Sequence, residues 1–313
     1  MRYRQLGHTE LEVSEICFGT WPISGHAMGK VDEQDAKAVI NHAVDLGINF
    51  FDTADYYGFG YAEELLAKTL GPLGDKVIIT TKGGTEWDSS GNTRINLSPE
   101  YITRACEDSL RRLQKDTIDL YQLHWPDPNT PFDQTMKALR TLVDSGKVRY
   151  IGVSNFSVDQ ISEAEEYLPI VSNQMEYSML RRSCEGDMIP FCTEHDISFL
   201  PYKVLGRGML TGKFKDQPVF QEGDWRNKDP MFQGSSFQKG SLLVQQLKPI
   251  AESHGGTTSQ LAIAWVLRLP IVASVVVGAK SAQQIEESCQ GIGWDLSEND
   301  INEINECLNL ATS

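Results

Sequence analysis

Residues 32–52 read DEQDAKAVINHAVDLGINFFD. Two periodicities meet in this stretch. Ala36, Val39, Ile40, Ala43, Val44 and Leu46 fall on one stripe of a 3.6-residue helix. Leu46-Gly47 reads as a glycine helix stop. INFFD (48–52) then reads as a short strand, apolar on both faces. A helix feeding such a strand is the unit of an all-parallel sheet covered by helices.

The same rhythm runs along the whole chain. Strands are predicted at ICFG (16–19), INFFD (48–52), VIITT (77–81), DLYQLH (119–124), RYIGVS (149–154), IVSNQ (170–174), ISFLP (197–201) and IVASVVV (271–277). Helices are predicted between them, among others over 32–47, 98–113, 131–146 and 157–168. Ser98-Pro99 places an N-cap before a proline in the first turn. Asp144-Ser145-Gly146 looks like another glycine stop. Eight β-then-α units predict an α/β fold, a closed (β/α)8 TIM barrel, and the 313 residues fit its size range. YRQLG and LEVSE, around Gly7-His8-Thr9, resemble an N-terminal β-hairpin capping the barrel bottom. DLSENDINEINECLNL (295–310) reads as an extra C-terminal helix. Residues 203–240 show no strong periodicity, and a loop that long is usually functional or disordered. There is no linker, so residues 1–313 are expected to form one barrel domain. A doubly wound nucleotide-binding sheet would want G-x-G-x-x-G after an early strand. Gly58-Phe-Gly60 and Gly206-Arg-Gly208 both lack the third glycine.

Composition excludes several classes. The formal net charge is -15, which argues against nonspecific binding to nucleic acid or to anionic membranes. It leaves room for a local cluster of cations that meets an anionic cofactor. The six cysteines form no C-x-x-C pair and read as reduced structural thiols. Cys192 and His195 lack partners for a zinc site, so no metal is expected. No apolar run approaches the roughly 18 residues of a membrane span. MRYRQLGHTELEVSEI has no signal-peptide core. The expected location is cytoplasmic.

A barrel of this kind carries its site at the C-terminal strand ends. Asp52 ends the second strand, Lys82 stands near the end of the third, and His124 ends the fourth. GVSNF and NQMEY end the fifth and sixth. Adjacent strands lie ~4.8 Å apart, so an acid, a lysine and a histidine could converge, with a tyrosine close behind Asp52. A phenol is protonated at neutral pH and can donate that proton. A lysine cation is expected to lower its pKa, an aspartate to hold the lysine charged, and a neutral histidine to orient a substrate oxygen. These are the groups needed to protonate an alkoxide as hydride reaches a carbonyl.

DTADYYG, TTKGG, LHWPD, KVRYIGVSNF, NQMEYS and LGRGMLTGKF stand in order at these strand ends, and the chain resembles an aldo-keto reductase over nearly its whole length. The long loop suggests the branch related to the potassium-channel β subunits. The resemblance implies a barrel enzyme that reduces aldehydes and ketones with NADPH. It implies a tetrad of Asp52, Tyr57, Lys82 and His124, with the family's spacing selecting Tyr57 over Tyr56. Asp55 is then a loop acid without catalytic duty.

The resemblance also assigns cofactor contacts. Gly19, Thr20, Trp21 and Asp52 would lie at the nicotinamide end, with Ser154, Asn155 and Gln174 on the carboxamide and Tyr202 stacked on the ring. Lys203, Leu205, Gly206, Arg207 and Gly208 would follow the pyrophosphate, and Lys213 a phosphate. Gly278, Lys280, Gln284, Glu287 and Ser288 would meet the adenosine phosphate. Lys203 stands where many relatives have serine. Gln284 and Ser288 stand where many NADP-dependent members have arginine and asparagine, so NADH is a possible cofactor beside the preferred NADPH. The expected pocket walls are Trp21, Tyr56, Trp87 and Trp125, joined by Met231 or Phe232. Such a pocket suits apolar or small polar aldehydes. The presence of His124 argues against a dedicated C=C reductase, a branch that replaces this histidine with an acid. The expected partner is a small carbonyl compound, with the chain a monomer or weak oligomer. A cofactor-binding regulatory subunit of the same fold is the alternative reading.

Overall fold

The computed structural model describes residues 1–25 and 28–312. A hairpin of β1 (Tyr3–Gln5) and β2 (Glu12–Ser14) precedes β3 (Ile16–Gly19), α1 (Glu33–Asp45), β4 (Phe50–Asp52), α2 (Tyr61–Leu70) and β5 (Ile78–Gly83). A second hairpin, β6 (Thr85–Trp87) and β7 (Thr93–Ile95), leads to α3 (Pro99–Leu113), β8 (Ile118–Leu123), α4 (Phe132–Asp144) and β9 (Val148–Ser154). Then follow α5 (Val158–Glu165), β10 (Ser172–Glu176), α6 (Met188–Glu194), β11 (Ser198–Tyr202), α7 (Gly234–Ser253) and α8 (Thr258–Leu267). The described chain ends with β12 (Val275–Gly278), α9 (Ala282–Cys289) and α10 (Glu298–Thr312).

The strands β3, β4, β5, β8, β9, β10, β11 and β12 close into a parallel barrel, in which β12 pairs back onto β3 with Gly278 opposite Gly19. Side-chain alternation explains the closure. Cys17, Phe50, Leu120, Val171, Leu200 and Val276 fill the interior. Their neighbours Phe18, Phe51, Ile79, Tyr121, Val153 and Phe199 face the helices. The helix starts are fixed by side-chain caps: Ser98 accepts from the Tyr101 amide, and Ser157–Gln160 and Thr257–Gln260 form reciprocal capping boxes.

The N-terminal hairpin closes the barrel floor. Leu6, Leu11 and Val13 join the interior core. The Gly7 amide donates to Ser198 Oγ at 2.6 Å and the Ser14 amide to Asn49 Oδ1 at 2.7 Å. Arg4 is the clamp. Its Nε donates to the buried Glu15 at 2.7 Å, and its other nitrogens donate to the carbonyls of Leu267, Leu269 and Val272.

Three expectations need correction. The stretch 203–240 is ordered: it turns through short 3-10 segments, its phenylalanines build a core of their own, and α7 begins inside it at Gly234. The periodicity was hidden because Phe214, Phe220 and Phe232 pack on one another and not on a helix stripe. Of the expected strand 271–277, residues 275–277 are strand, within Val275–Gly278, and Val272 makes one isolated bridge to Phe199. The hairpin β6–β7 lies in a stretch where the sequence predicts no element.

Because Arg4 ties the hairpin to the segment before the last strand, Arg4→Ala is expected to lower unfolding stability by about 2–4 kcal/mol. Urea unfolding followed by tryptophan fluorescence checks this.

Candidate active site

The upper rim of the barrel brings four side chains together: Asp52 from β4, Lys82 from β5, His124 from just past the end of β8, and Tyr57 from a turn. Lys82, in β5, points inward with no exposed surface. Its Nζ donates to Asp52 Oδ1 at 2.6 Å, to the Thr53 carbonyl at 3.0 Å and to Tyr57 Oη at 3.4 Å. Asp52 also accepts from the Gln174 amide at 2.8 Å. The His124 ring lies across from the Tyr57 ring, with centroids 5.8 Å apart. Tyr56 turns the other way and stacks on Trp21 at 5.9 Å.

The electrostatics differ from the expectation in one respect. A lysine was expected to lower the tyrosine pKa. Instead burial pushes the Tyr57 phenol well above its usual value, and Asp52, Asp55 and Cys17 add to the rise. Burial, helped by the Lys82 charge, pushes His124 down to about 3. The imidazole is therefore neutral at physiological pH, and its Nδ1 is buried without a partner among the described residues.

Asp55 is not a solvated loop acid. It is buried, and both carboxylate oxygens lack a partner among the described residues. Burial first, and then the nearby Glu63, push its carboxyl well above the carboxylate range.

Gly19 and Gly278 face each other at the barrel rim, and Gly278 has no room for a side chain. A Cβ on Gly278 would lie 2.4 Å from Pro22, and one on Gly19 would lie 3.1 Å from Val276. Thr20 donates to the Asp52 carbonyl at 3.0 Å. Across the mouth, Tyr202 is half-buried and donates to Asn155 Oδ1 at 2.9 Å, while Asn155 donates to Ser154 Oγ at 3.0 Å. Gln174, assigned to the same group, is turned toward Asp52.

After β11 the chain folds over itself through left-handed Lys203, Gly206, Arg207 and Gly208, with Leu205 half-buried between them. The cations here are already engaged. Lys203 pairs with Glu176 at 2.9 Å; Arg207 pairs with Glu176 at 3.1 Å and also with Asp229. Burial works to raise the Glu176 carboxyl, but Lys203 and Arg207 outweigh it and hold it low. Arg207 Nε remains buried without a partner among the described residues.

Further along the groove stand Lys213, Lys280 and a residue that sequence reasoning missed, Arg226. Partial desolvation, then the Arg226 and Lys280 charges, push Lys213 below the usual lysine range. Desolvation and Arg226 do the same to Lys280. Asp224 pairs with Arg226 at 2.6 Å. The signal for Arg226 was weak: one cation in a loop without periodicity. At the next position along, Gln284 accepts from the Lys280 amide at 2.8 Å and Ser288 donates to the Gln284 carbonyl, while Glu287 accepts from Thr257.

The mouth is aromatic. Trp21 meets Tyr57 edge-on at 4.9 Å. A chain of rings runs from Tyr56 to Phe59 to Trp87, each step 5.8 Å. Trp125 stacks on His124 and stays exposed. Trp87 also lines a separate cavity of about 220 Å3 with Asp55, Tyr101, Arg104 and Arg112. Phe232 is fully buried in the long loop's own core and lines no mouth, with Met231 packed against that core.

The sequence profile of the Aldo/keto reductase family matches residues 15–309. The chain is 37% identical over 311 residues to the aldo-keto reductase YhdN of Bacillus subtilis, covering 98% of this chain and 94% of that protein. It is 36% identical over 306 residues to the Schizosaccharomyces pombe aldo-keto reductase yakc [NADP(+)], covering 96% and 89%. Among solved structures, the glycerol dehydrogenase AKR11B4 of Gluconobacter oxydans superposes with a TM-score of 0.92 at 33% identity, covering 99% of this chain and 95% of that one. The chain belongs to the aldo/keto reductase family. It is an NAD(P)H-dependent oxidoreductase acting on small carbonyl compounds. Among the described residues, no helix is long and apolar enough to cross a membrane and no side-chain group could hold a metal ion.

The depressed His124 pKa has a stability consequence. The unfolded chain binds a proton at this residue below about 6.5, while the folded chain does so only below about 3. Folding stability contributed by this residue is therefore lost as pH falls from about 6.5 toward 3, by up to about 1.4 kcal/mol per pH unit. His124→Gln is expected to flatten that slope in urea unfolding measured between pH 7 and 4.5.

Proposed function

We propose that this protein reduces aldehydes and ketones to alcohols with NADPH, with Tyr57 as the proton donor. The observation that carries the reading is the Lys82 ammonium, 2.6 Å from Asp52 and 3.4 Å from the Tyr57 hydroxyl in a site without exposed charge. When bound, the nicotinamide supplies a hydride from its C4 to the carbonyl carbon. Tyr57, kept protonated by burial, gives its proton to the carbonyl oxygen as that oxygen gains charge. Lys82 stabilises the phenolate left behind, and Asp52 keeps Lys82 charged and aimed. The neutral His124 holds the substrate oxygen by a hydrogen bond and orients the carbonyl. Hydride and proton together convert C=O to CH–OH. Burial of Asp52, Lys82 and His124 strengthens each of these interactions.

The residues present fit a nicotinamide dinucleotide. The left-handed run over Lys203–Gly208 presents a concave backbone of the kind that suits a pyrophosphate. Tyr202, fixed by Asn155, offers a ring face for the nicotinamide. Lys213, Arg226 and Lys280 lie close enough to repel one another, with Asp224 and Glu287 offsetting them only in part, a field that favours a further anion. That field supports NADPH over NADH, because the 2′-phosphate is the anion in question. The NADP(+) in the name of the yeast relative points the same way. The aromatic mouth supports apolar or small polar aldehydes as substrates.

Tyr57→Phe is expected to lower aldehyde-dependent NADPH oxidation by at least roughly 100-fold while leaving NADPH binding unchanged. Unchanged turnover in that variant contradicts the assignment, as does a loss caused by Tyr56→Phe in its place. Arg226→Ala and Lys280→Ala are each expected to raise the KM for NADPH about tenfold with little effect on NADH. Steady-state assays with both cofactors over a panel of aldehydes and ketones check this.

A further inference from the structure

Tyr57 and Lys82 lie on different elements, so something must hold the tyrosine turn at its distance from β5. Backbone pairing does part of this: the Thr53 amide donates to the Thr80 carbonyl at 2.9 Å and the Asp55 amide to the Lys82 carbonyl at 3.1 Å. The ladder to β5 stops there. Among the described residues the backbone bonds from Tyr56 to Gly60 are local, and Gly58, Phe59 and Gly60 all take left-handed conformations.

We propose that the buried ion pair of Glu63 and Arg112 is the positioning device that fixes this turn against β5, and with it the Tyr57–Lys82 distance. Glu63 lies in the first turn of α2 with no exposed surface. One of its oxygens accepts from Thr81 Oγ1 at 2.5 Å, the other from Arg112 Nε at 2.6 Å. Thr81 is the neighbour of Lys82 in β5, and strand alternation sends the two side chains to opposite faces. Arg112, at the end of α3, also donates to the buried Ser109 Oγ at 3.3 Å. Its stem fills the space beside Gly60, where a Cβ would lie 2.7 Å from Arg112 Cδ. The Ala62 amide donates to the Tyr57 carbonyl at 3.1 Å. A shift of the α2 start therefore moves Tyr57 directly.

Stability alone does not account for an ion pair in this place. A buried pair can often be replaced by apolar side chains of similar volume without loss of stability. Fixed, directional bonds to a strand and a helix, with the Arg112 stem against the turn at Gly60, supply geometry that apolar packing does not. The inference rests on Tyr57 as proton donor, because its consequence is read in the chemical step.

The test compares the intact enzyme with the double variant Glu63→Leu/Arg112→Met, with Arg112→Met and Arg112→Lys alone, and with Thr81→Val. The double variant is expected to fold and to bind NADPH with unchanged Kd. Its kcat is expected to fall roughly 10- to 100-fold with little change in the KM for the carbonyl. Arg112→Lys is expected to recover most of the kcat that Arg112→Met loses. If the double variant does not fold, Thr81→Val carries the test, since it cuts only the tie to β5 and is expected to lower kcat in the same way. Wild-type kcat in the folded double variant, or in Thr81→Val, overturns the proposal. If Tyr57→Phe is inactive while these variants keep wild-type kcat, only the positioning role fails. If Tyr57→Phe is itself active, the underlying reading fails first.

Discussion

The Lys82 ammonium has no exposed surface, and its Asp52 partner, 2.6 Å away, is almost as deeply buried. Taking two such charges out of water costs several kcal/mol each. Their attraction offsets that cost only with good geometry and further hydrogen bonds. Here the Thr53 carbonyl accepts from the lysine, and the Gln174 amide donates to the aspartate. The pair therefore draws on β4, β5 and β10 at once. Beside it, burial first, then Asp52 at the phenol and Lys82 at the imidazole, leaves a phenol that keeps its proton and a histidine that stays neutral.

The same economy of charge shapes the rest of the groove. The chain is strongly acidic as a whole, yet Lys203, Arg207, Lys213, Arg226 and Lys280 lie close together. Lys203 and Arg207 are held by Glu176, and Arg207 also reaches Asp229 in the long loop. These bonds, with Trp225 against both cations, fasten the loop to the ends of β10 and β11. Lys213 and Lys280 are less well compensated, and the charge of Arg226, itself paired with Asp224, bears on both. The distinction between paired and crowded cations separates those that build the groove from those that favour an anion in it.

The barrel was legible because each strand is short, apolar and followed by a helix with clear stops. Asp52, Lys82 and His124 were legible because they stand at successive strand ends, where a polar residue breaks an apolar run. Tyr57 needed the family spacing, since Tyr56 has the same chemistry one residue away. Other features depend on tertiary contacts that no local pattern encodes. Asp55 looks like a solvated loop acid until α3 and the β6–β7 hairpin cover it. Arg226 lies in a loop whose order comes from phenylalanines packing on one another. Lys203 and Arg207 carry the expected charge, but the acids that hold them lie 22 to 31 residues away in sequence.

The claim that the buried Lys82–Asp52 pair holds Tyr57 ready to donate is tested most directly by Lys82→Met, which keeps the volume and removes the charge. NADPH affinity, read from quenching of tryptophan fluorescence, and aldehyde reduction are measured on the same folded preparation. The expected result is NADPH binding within a few-fold of wild type and turnover reduced by roughly 1,000-fold or more. Turnover close to wild type in a folded, NADPH-binding Lys82→Met enzyme would contradict it.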